Sequence, residues 1–294
     1  MELNAGGEGR GRGRGSGQGG WPSSGDGNSG ILDEQILVLV FGQLNWDPSV
    51  VCVAARVSRR LRAVANRVLW REVCISRAPR MVAALTGGTP EGLSRVGGGW
   101  HALAKLLFYC SGGGSSLYFP LPSNVPGHFA GVSRFSKTSG LSFLSRRCSG
   151  DLLFMSDPCE HADVDGAPDG EDLGAYRGVY RGFIRSKTRA NLIGRQADLE
   201  QRIRCPYCRA RVWSMTAARL VPRTAARRLA AQQGRLEYFV CVYGHLHGNC
   251  WLAHLSSDDG DSSGGDDGDS SGGDDDDGDR CEGGDEGDDA RIAC

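Results

Sequence analysis

The most regular pattern of apolar and polar positions runs through residues 32–69. Apolar residues recur there at intervals of three and four, the spacing of a helix with one apolar face. Each of three such segments follows a residue that can cap a helix, and the second begins with Pro, which fits a first helical position. The pattern therefore predicts three short helices. Their predicted caps are Asp33, Asp47 and Ser58, and their apolar positions include Ile36, Phe41, Leu44, Val50, Val53, Val57, Leu61, Val64 and Leu69.

The pattern after this helical segment is mixed. Residues 100–109 have helical spacing, and residues 194–204 have the composition of a polar helix. Residues 141–148 and 151–156 are suited to a β-hairpin closed by a Ser-Gly turn. Residues 78–200 are therefore predicted to form a mixed α/β region.

Both ends of the chain lack an apolar pattern. Residues 1–30 are mostly Gly, Ser and Arg, and residues 256–294 are rich in Asp, Gly and Ser. Such segments cannot bury enough apolar surface to offset the entropy of ordering, so we expect both to be disordered. After residue 255 the chain holds 16 of its 35 acidic and two of its 34 basic residues, which leaves the preceding part with a net charge of +13. We expect the acidic tail chiefly to keep this basic part soluble.

The composition also bears on the compartment of the protein. No apolar run reaches the ~18 residues that span a bilayer, and the N-terminus lacks the apolar core of a signal peptide. The sequence therefore predicts an intracellular protein without a membrane partner. In a reducing compartment, its 11 cysteines indicate metal ligands and buried thiols rather than disulfides.

Two pairs of metal-ligating residues stand beside strand-like segments. Cys205 and Cys208 form a Cys-x-x-Cys knuckle, and Cys241 and His245 flank a turn in which Gly244 provides backbone freedom. Two knuckles at strand ends supply the four ligands of a tetrahedral structural zinc. The sequence thus predicts a zinc cofactor in a zinc-ribbon-like module at residues 201–255.

The ligand set leaves alternatives open. The fourth ligand is His245, His247 or Cys250, and the cysteines could instead be unliganded buried thiols. A redox motif is less consistent with the pattern, because a thioredoxin-like Cys-x-x-Cys opens a helix after a strand. Cys159 and His161 could contribute to a further site or lie in an ordinary polar loop.

Residues 31–77 resemble an F-box from end to end. The resemblance rests on the helical apolar positions, the turn at Asp47, the run at 57–62 and the closing Leu69-Trp70. Two positions depart from the family pattern, since Asp33 stands where Pro is usual and Leu61 where Trp is frequent. The resemblance implies binding to a Skp-type adaptor, which in turn holds a cullin. It also implies the residues that contact the adaptor or form the core behind the contact: Leu32, Ile36, Phe41, Leu44 and Val57.

Over residues 31–258 the chain resembles one plant family, the "empfindlicher im dunkelroten Licht" (far-red hypersensitive), or EID-like, F-box proteins. The segments that carry this resemblance are 189–196, 205–220 and 236–251. The resemblance implies a nuclear substrate receptor of an SCF ubiquitin ligase that acts in phytochrome A light signalling. The degraded protein substrate is not identified by the sequence.

Two other classes of function fit the sequence less well. The chain shows no phosphate-binding glycine loop, nucleophile elbow or paired carboxylates, so we expect no catalytic residues and no enzyme activity of its own. The competing function is a nucleic-acid-binding zinc protein, because many arginines surround the zinc ligands. Arginine-rich segments are more often solvated helix faces, so nucleic acid is not the expected partner. These arginines are Arg202, Arg204, Arg209, Arg211, Arg219, Arg223, Arg227 and Arg228.

Together these patterns predict an α+β protein with disordered termini. A three-helix F-box at residues 31–77 is followed by the mixed α/β region at 78–200 and the zinc-ribbon-like module at 201–255.

Overall fold

The fold is that of a computed structural model, which describes residues 33–88, 97–113, 125–131, 134–138, 143–162, 172–253 and 291–293. The predicted disordered N-terminus and nearly all of the acidic tail lie outside these ranges. Within them, no helix has the length and apolar character needed to cross a membrane.

Residues 33–88 form five α-helices and one π-helical turn. The side chains of Asp33 and Asp47 each accept a hydrogen bond of 2.8 Å from the backbone N–H two residues on, and Ser58 accepts one of 3.1 Å from the N–H three residues on. The three predicted caps are thus confirmed. The third predicted helix is longer than expected, because α3 continues through the π turn into α4. The helices are α1 (Glu34–Gln43), α2 (Pro48–Val57), α3 (Arg59–Val64), α4 (Trp70–Arg77) and α5 (Pro79–Thr86), with the π turn at Ala65–Leu69.

The remaining described residues form one large antiparallel sheet, a two-stranded ribbon, three α-helices and two short 3-10 turns. The predicted helix at 100–109 is confirmed as α6 (Gly99–Phe108). The other helices are α7 (Lys187–Gly194) and α8 (Thr224–Arg228). The strands are β1 (Tyr109–Cys110), β2 (His128–Phe129), β3 (Arg134–Thr138), β4 (Leu152–Ser156), β5 (Cys159–His161), β6 (Leu173–Arg181), β7 (Leu199–Arg204), β8 (Arg211–Ser214), β9 (Ala231–Cys241), β10 (His245–Leu252) and β11 (Arg291–Ala293).

The strand order of the large sheet is β11-β3-β4-β6-β10-β9-β8-β7, and β5 pairs with β6 beyond the end of β4. The separate ribbon consists of β1 and β2. Because β10 pairs with β6 along its length, the predicted zinc-ribbon-like segment and the preceding region share one sheet. The predicted boundary at residue 200 falls inside β7. The short strand β11 lies in the tail that was expected to be disordered.

Two sequence predictions for this region are wrong. Residues 199–204 form strand β7 rather than the end of a polar helix, because this segment pairs with β8. The hairpin expected between 141–148 and 151–156 is absent from the described residues: 146–148 form a 3-10 turn, and β4 pairs with β3 and β6 instead. In both cases pairing with another strand determines the conformation.

The sheet is covered on both faces, and the strands alternate accordingly. Phe154, Val179 and Phe239 belong to the core that includes α6 and the F-box helices. Neighbouring residues such as Met155 and Tyr238 belong to a second core on the opposite face. This period of two is the expected consequence of β geometry. The F-box helices and the sheet therefore share one hydrophobic core.

The buried side chain of Arg177 on β6 joins the sheet to α6. Its Nε atom donates to the carbonyl of Leu106 at 2.6 Å, and Nη2 donates to the carbonyl of Leu107 at 3.3 Å. Carbonyls in the last turn of a helix lack partners within the helix and carry partial negative charge. The guanidinium supplies both hydrogen bonds and positive charge there, so it fixes this end of α6 to the sheet.

We expect Arg177→Met to lower the free energy of unfolding by about 3 kcal/mol, because it removes charge-assisted hydrogen bonds and leaves buried carbonyls without donors. The matched control is Arg181→Met on the exposed end of the same strand, with an expected change within about 0.5 kcal/mol. Urea unfolding of the two variants checks this prediction. Equal destabilisation by both substitutions would contradict it.

Candidate metal centre

The first cluster of metal-ligating residues consists of Cys205, Cys208, Cys241 and His245. Cys205 and Cys208 lie in the turn between β7 and β8, and the other two residues end β9 and begin β10. In the first turn, the N–H of Arg209 donates to the carbonyl of Cys205 at 2.8 Å. Since β8 pairs with β9, both hairpin turns present their ligands at the same end of the sheet.

The four ligand atoms of the first cluster lie within 4.8 Å of one another. The sulfur atoms of Cys208 and Cys241 are 3.7 Å apart, and His245 Nδ1 is 3.8 Å from Cys205 Sγ and 3.6 Å from Cys241 Sγ. Sulfur and nitrogen ligands of a tetrahedral zinc, bound at about 2.0–2.3 Å, are separated by about 3.5–3.8 Å. The donor set and its spacing fit such an ion.

The second turn of the cluster depends on Gly244. This residue has φ of +90°, and a Cβ atom there would overlap the side chain of Phe183. The turn directs the N–H groups of Tyr243 and His245 toward Cys241 Sγ, at 3.4 and 3.3 Å. Two N–H donors stabilise a thiolate, which is the form of cysteine that binds a metal.

The pKa values of the first cluster follow from burial and from the other members. Burial raises the pKa of Cys205, whereas hydrogen bonds from Cys205 and Cys241 lower the pKa of Cys208. Burial favours a lower pKa for His245, but its hydrogen bonds to Cys208 and Cys241 outweigh burial and raise the pKa to about 9. A divalent cation bound here would displace the protons that Cys205 and His245 hold, because metal ligands bind in their deprotonated forms.

The structure groups His245, not the other two candidates, with the three cysteines. The half-buried ring of His247 packs against the ring of Phe239, with centroids 5.4 Å apart, and desolvation lowers its pKa to about 4. Cys250 is buried, and its thiol donates to the carbonyl of Gly174 at 3.6 Å. Both residues therefore have surroundings of their own outside the first cluster.

The beginning of α6 lies directly against the first cluster. Gly98, which precedes the helix, has φ of +85°, and a Cβ atom there would approach Cys208 and His245 at 2.9 Å. A Cβ atom at Gly97 would approach the side chain of Tyr243 at 2.4 Å. Sequence reasoning missed this contact, although the run of glycines before a helical segment was a signal for a close backbone approach.

Cys159 and His161 do not join the first cluster. They lie together with Cys110 and His128 at a second place, which we call the second cluster. Cys110 and His128 were not identified from the sequence. Neither belongs to a recognisable spacing, and only the pairing of β1 with β2 places them opposite each other.

The predicted adaptor residues fall into two groups. Ile36, Leu44 and Val57 are apolar yet 43, 46 and 73% exposed, whereas Phe41 is 4% exposed and belongs to the core behind them. Leu32 lies outside the described residues. Further exposed apolar side chains on the same two helices are Leu39, Val40 and Val53. Exposed apolar residues on adjacent helices are typical of a surface that binds a partner.

Comparisons with known proteins agree with this architecture. Residues 34–76 match the F-box-like family model, and residues 117–251 match the model of the EID1-like F-box protein 2 C-terminal domain. No solved structure matches the chain.

Three relatives from Arabidopsis thaliana are similar over most of their length. EID1-like F-box protein 3 is 59% identical over 236 residues, which cover 80% of this chain and 85% of the relative. EID1-like F-box protein 1 is 42% identical over 230 residues, which cover 78% of this chain and 76% of the relative. EID1-like F-box protein 2 is 42% identical over 234 residues, which cover 79% of this chain and 91% of the relative. With this identity over this length, the chain belongs to the plant family of EID1-like F-box proteins.

Proposed function

We propose that this protein is the substrate-receptor subunit of an SCF ubiquitin ligase. Its F-box binds a Skp-type adaptor, the adaptor holds the cullin, and the rest of the chain recognises a protein to be ubiquitinated. The observation that carries the proposal is the coincidence of the F-box-like match at residues 34–76 with exposed apolar side chains on α1 and α2. The protein contributes binding and orientation to the ligase, and the other subunits contribute the chemistry.

The adaptor surface is formed by the exposed apolar side chains of α1 and α2. Ile36, Leu44 and Val57 contact the adaptor, and Leu39 and Val53 extend the same surface. Burying an apolar side chain of this size stabilises a complex by about 1.5–3 kcal/mol. Leu37 and Phe41 are buried on the opposite face of α1 and hold the helix in place.

The first cluster binds one structural zinc ion. Three thiolates and one imidazole fill a tetrahedral site, so no coordination position is left for a substrate. The ion ties the β7–β8 turn to the β9–β10 turn. It thereby stabilises the part of the sheet that contacts the beginning of α6.

The protein acts in the nucleus, and the degradation of its substrate regulates phytochrome A light signalling. Support for this comes from the relationship to the Arabidopsis EID1-like proteins over most of the chain. A plant that lacks the protein should show an exaggerated response to far-red light and an unchanged response to red light. Hypocotyl length under the two light qualities measures this. Equal responses in mutant and wild type would contradict the signalling role while leaving adaptor binding untouched.

The double substitution Leu44→Ala and Val57→Ala should weaken adaptor binding on the order of a hundredfold, because two apolar contacts are lost. Both side chains are exposed, so the free energy of unfolding should not change. Titration calorimetry with purified adaptor measures the affinity. The matched control removes two exposed isoleucines outside the F-box, Ile184→Ala and Ile193→Ala, and should bind normally. Wild-type affinity in the first variant would exclude this surface.

Cys205→Ser and Cys241→Ser should each lower the zinc content of the purified protein by one equivalent per chain. The reason is that a neutral hydroxyl replaces a thiolate ligand. His247→Ala and Cys250→Ser are the controls, because these residues lie on the same strand as His245 but outside the cluster. Elemental analysis of all four variants provides the measurement. Unchanged zinc in both ligand variants would exclude the first cluster as a metal site.

A further inference from the structure

The second cluster combines residues from three strands. Cys110 on β1 lies opposite His128 on β2, and Cys159 and His161 lie on one face of β5. The sulfur of Cys110 is 3.4 Å from His161 Nε2, and the sulfur of Cys159 is 3.4 Å from His128 Nε2. All four ligand atoms lie within 4.8 Å of one another. A sulfur and a nitrogen bound to one tetrahedral zinc are separated by about 3.5 Å.

The second cluster is larger than a single hydrogen-bonded Cys–His pair. A single thiol–imidazole hydrogen bond would bring two residues together, not four. The two imidazole rings are also edge to face, with centroids 5.3 Å apart, so their Nε2 atoms approach two different sulfurs.

We propose that Cys110, His128, Cys159 and His161 bind a second divalent metal ion of the zinc class. Two thiolates and two imidazoles are a frequent ligand set for structural zinc, and together they close the tetrahedron. Carboxylates are absent from the cluster, which disfavours calcium and magnesium. This metal site shares no ligand with the first cluster.

The second cluster lies at the C-terminal end of α6, so a metal bound there affects how this helix is held. Cys110 comes two residues after the end of α6, next to the turn that Arg177 holds, whereas the first cluster lies at the beginning of α6. Bound metal at both clusters therefore fixes both ends of this helix. The helix also contacts the F-box, since the rings of His101 and Trp70 lie 5.4 Å apart. The second metal thus helps to set the orientation of the F-box helices relative to the sheet.

The two sites differ in their access to solvent. The residues of the first cluster are mostly buried, whereas His128 is exposed and Cys159 and His161 are half-buried. A cavity of about 400 Å³ borders the second site and includes His128, Cys159, Arg134 and Glu160 in its lining. A chelator should therefore reach the second metal first.

Elemental analysis of the purified full-length protein tests the second site. Cys159→Ser and His128→Ala should each lower the zinc content by one equivalent per chain, and combining Cys159→Ser with Cys241→Ser should lower it by two. The matched controls are Cys52→Ser, a half-buried cysteine of α2, and His101→Ala, which should retain the wild-type content. Since His128 is exposed, its substitution should not prevent folding. Wild-type zinc content in both Cys159→Ser and His128→Ala would overturn the proposal.

Cobalt substitution and chelation separate the two sites. In the Cys241→Ser variant, bound Co²⁺ should give the visible bands of a tetrahedral site with two thiolates. In the Cys159→Ser variant, the charge-transfer band from thiolate to Co²⁺ should be stronger than in Cys241→Ser, because the first cluster provides three thiolate ligands. Zinc release to a coloured chelator should occur in two phases from the wild type. The fast phase should disappear in Cys159→Ser, and its persistence there would contradict the assignment.

Discussion

The architecture of this protein depends on the buried guanidinium of Arg177. A charged group inside a hydrophobic core destabilises a fold unless it is fully hydrogen-bonded, and here the last carbonyls of α6 are its acceptors. The same contact removes the cost of burying those carbonyls. Helix and strand are therefore locked in one relative position. Because α6 also packs against α4, this lock reaches the F-box.

The features that the sequence predicted correctly are local. Asp33, Asp47 and Ser58 cap helices because their side chains reach backbone N–H groups within three residues. The Cys205–Cys208 knuckle is likewise contained in one turn. Its joining to Cys241 and His245 was predictable as well, since each pair is a short motif beside a strand-like segment. The choice of His245 over His247 and Cys250 needed the turn geometry around Gly244.

The features that sequence reasoning missed depend on the pairing of strands. Leu199 and Ile203 are four residues apart, which suits a helix, but pairing with β8 places them in a strand. Cys110 and His128 belong to no motif, and each resembles an isolated residue in the sequence. They become ligands only because β1 pairs with β2 and both approach β5. The spacing of residues along the sequence cannot identify such a ligand site, because its members come together only when the strands pair.

The F-box helices have one face that packs in the core and another that is exposed. Leu37 and Phe41 on α1 face the shared core, whereas Ile36 and Leu39 on the same helix remain exposed. A partner bound to the exposed face is thus connected to the sheet through packed side chains and through the hydrogen bonds of Arg177, with α6 between them. A receptor needs such rigidity, because the ligase must hold a substrate at a fixed distance from the ubiquitin-charged enzyme. Metal ions bound at the two clusters would provide this rigidity at both ends of α6.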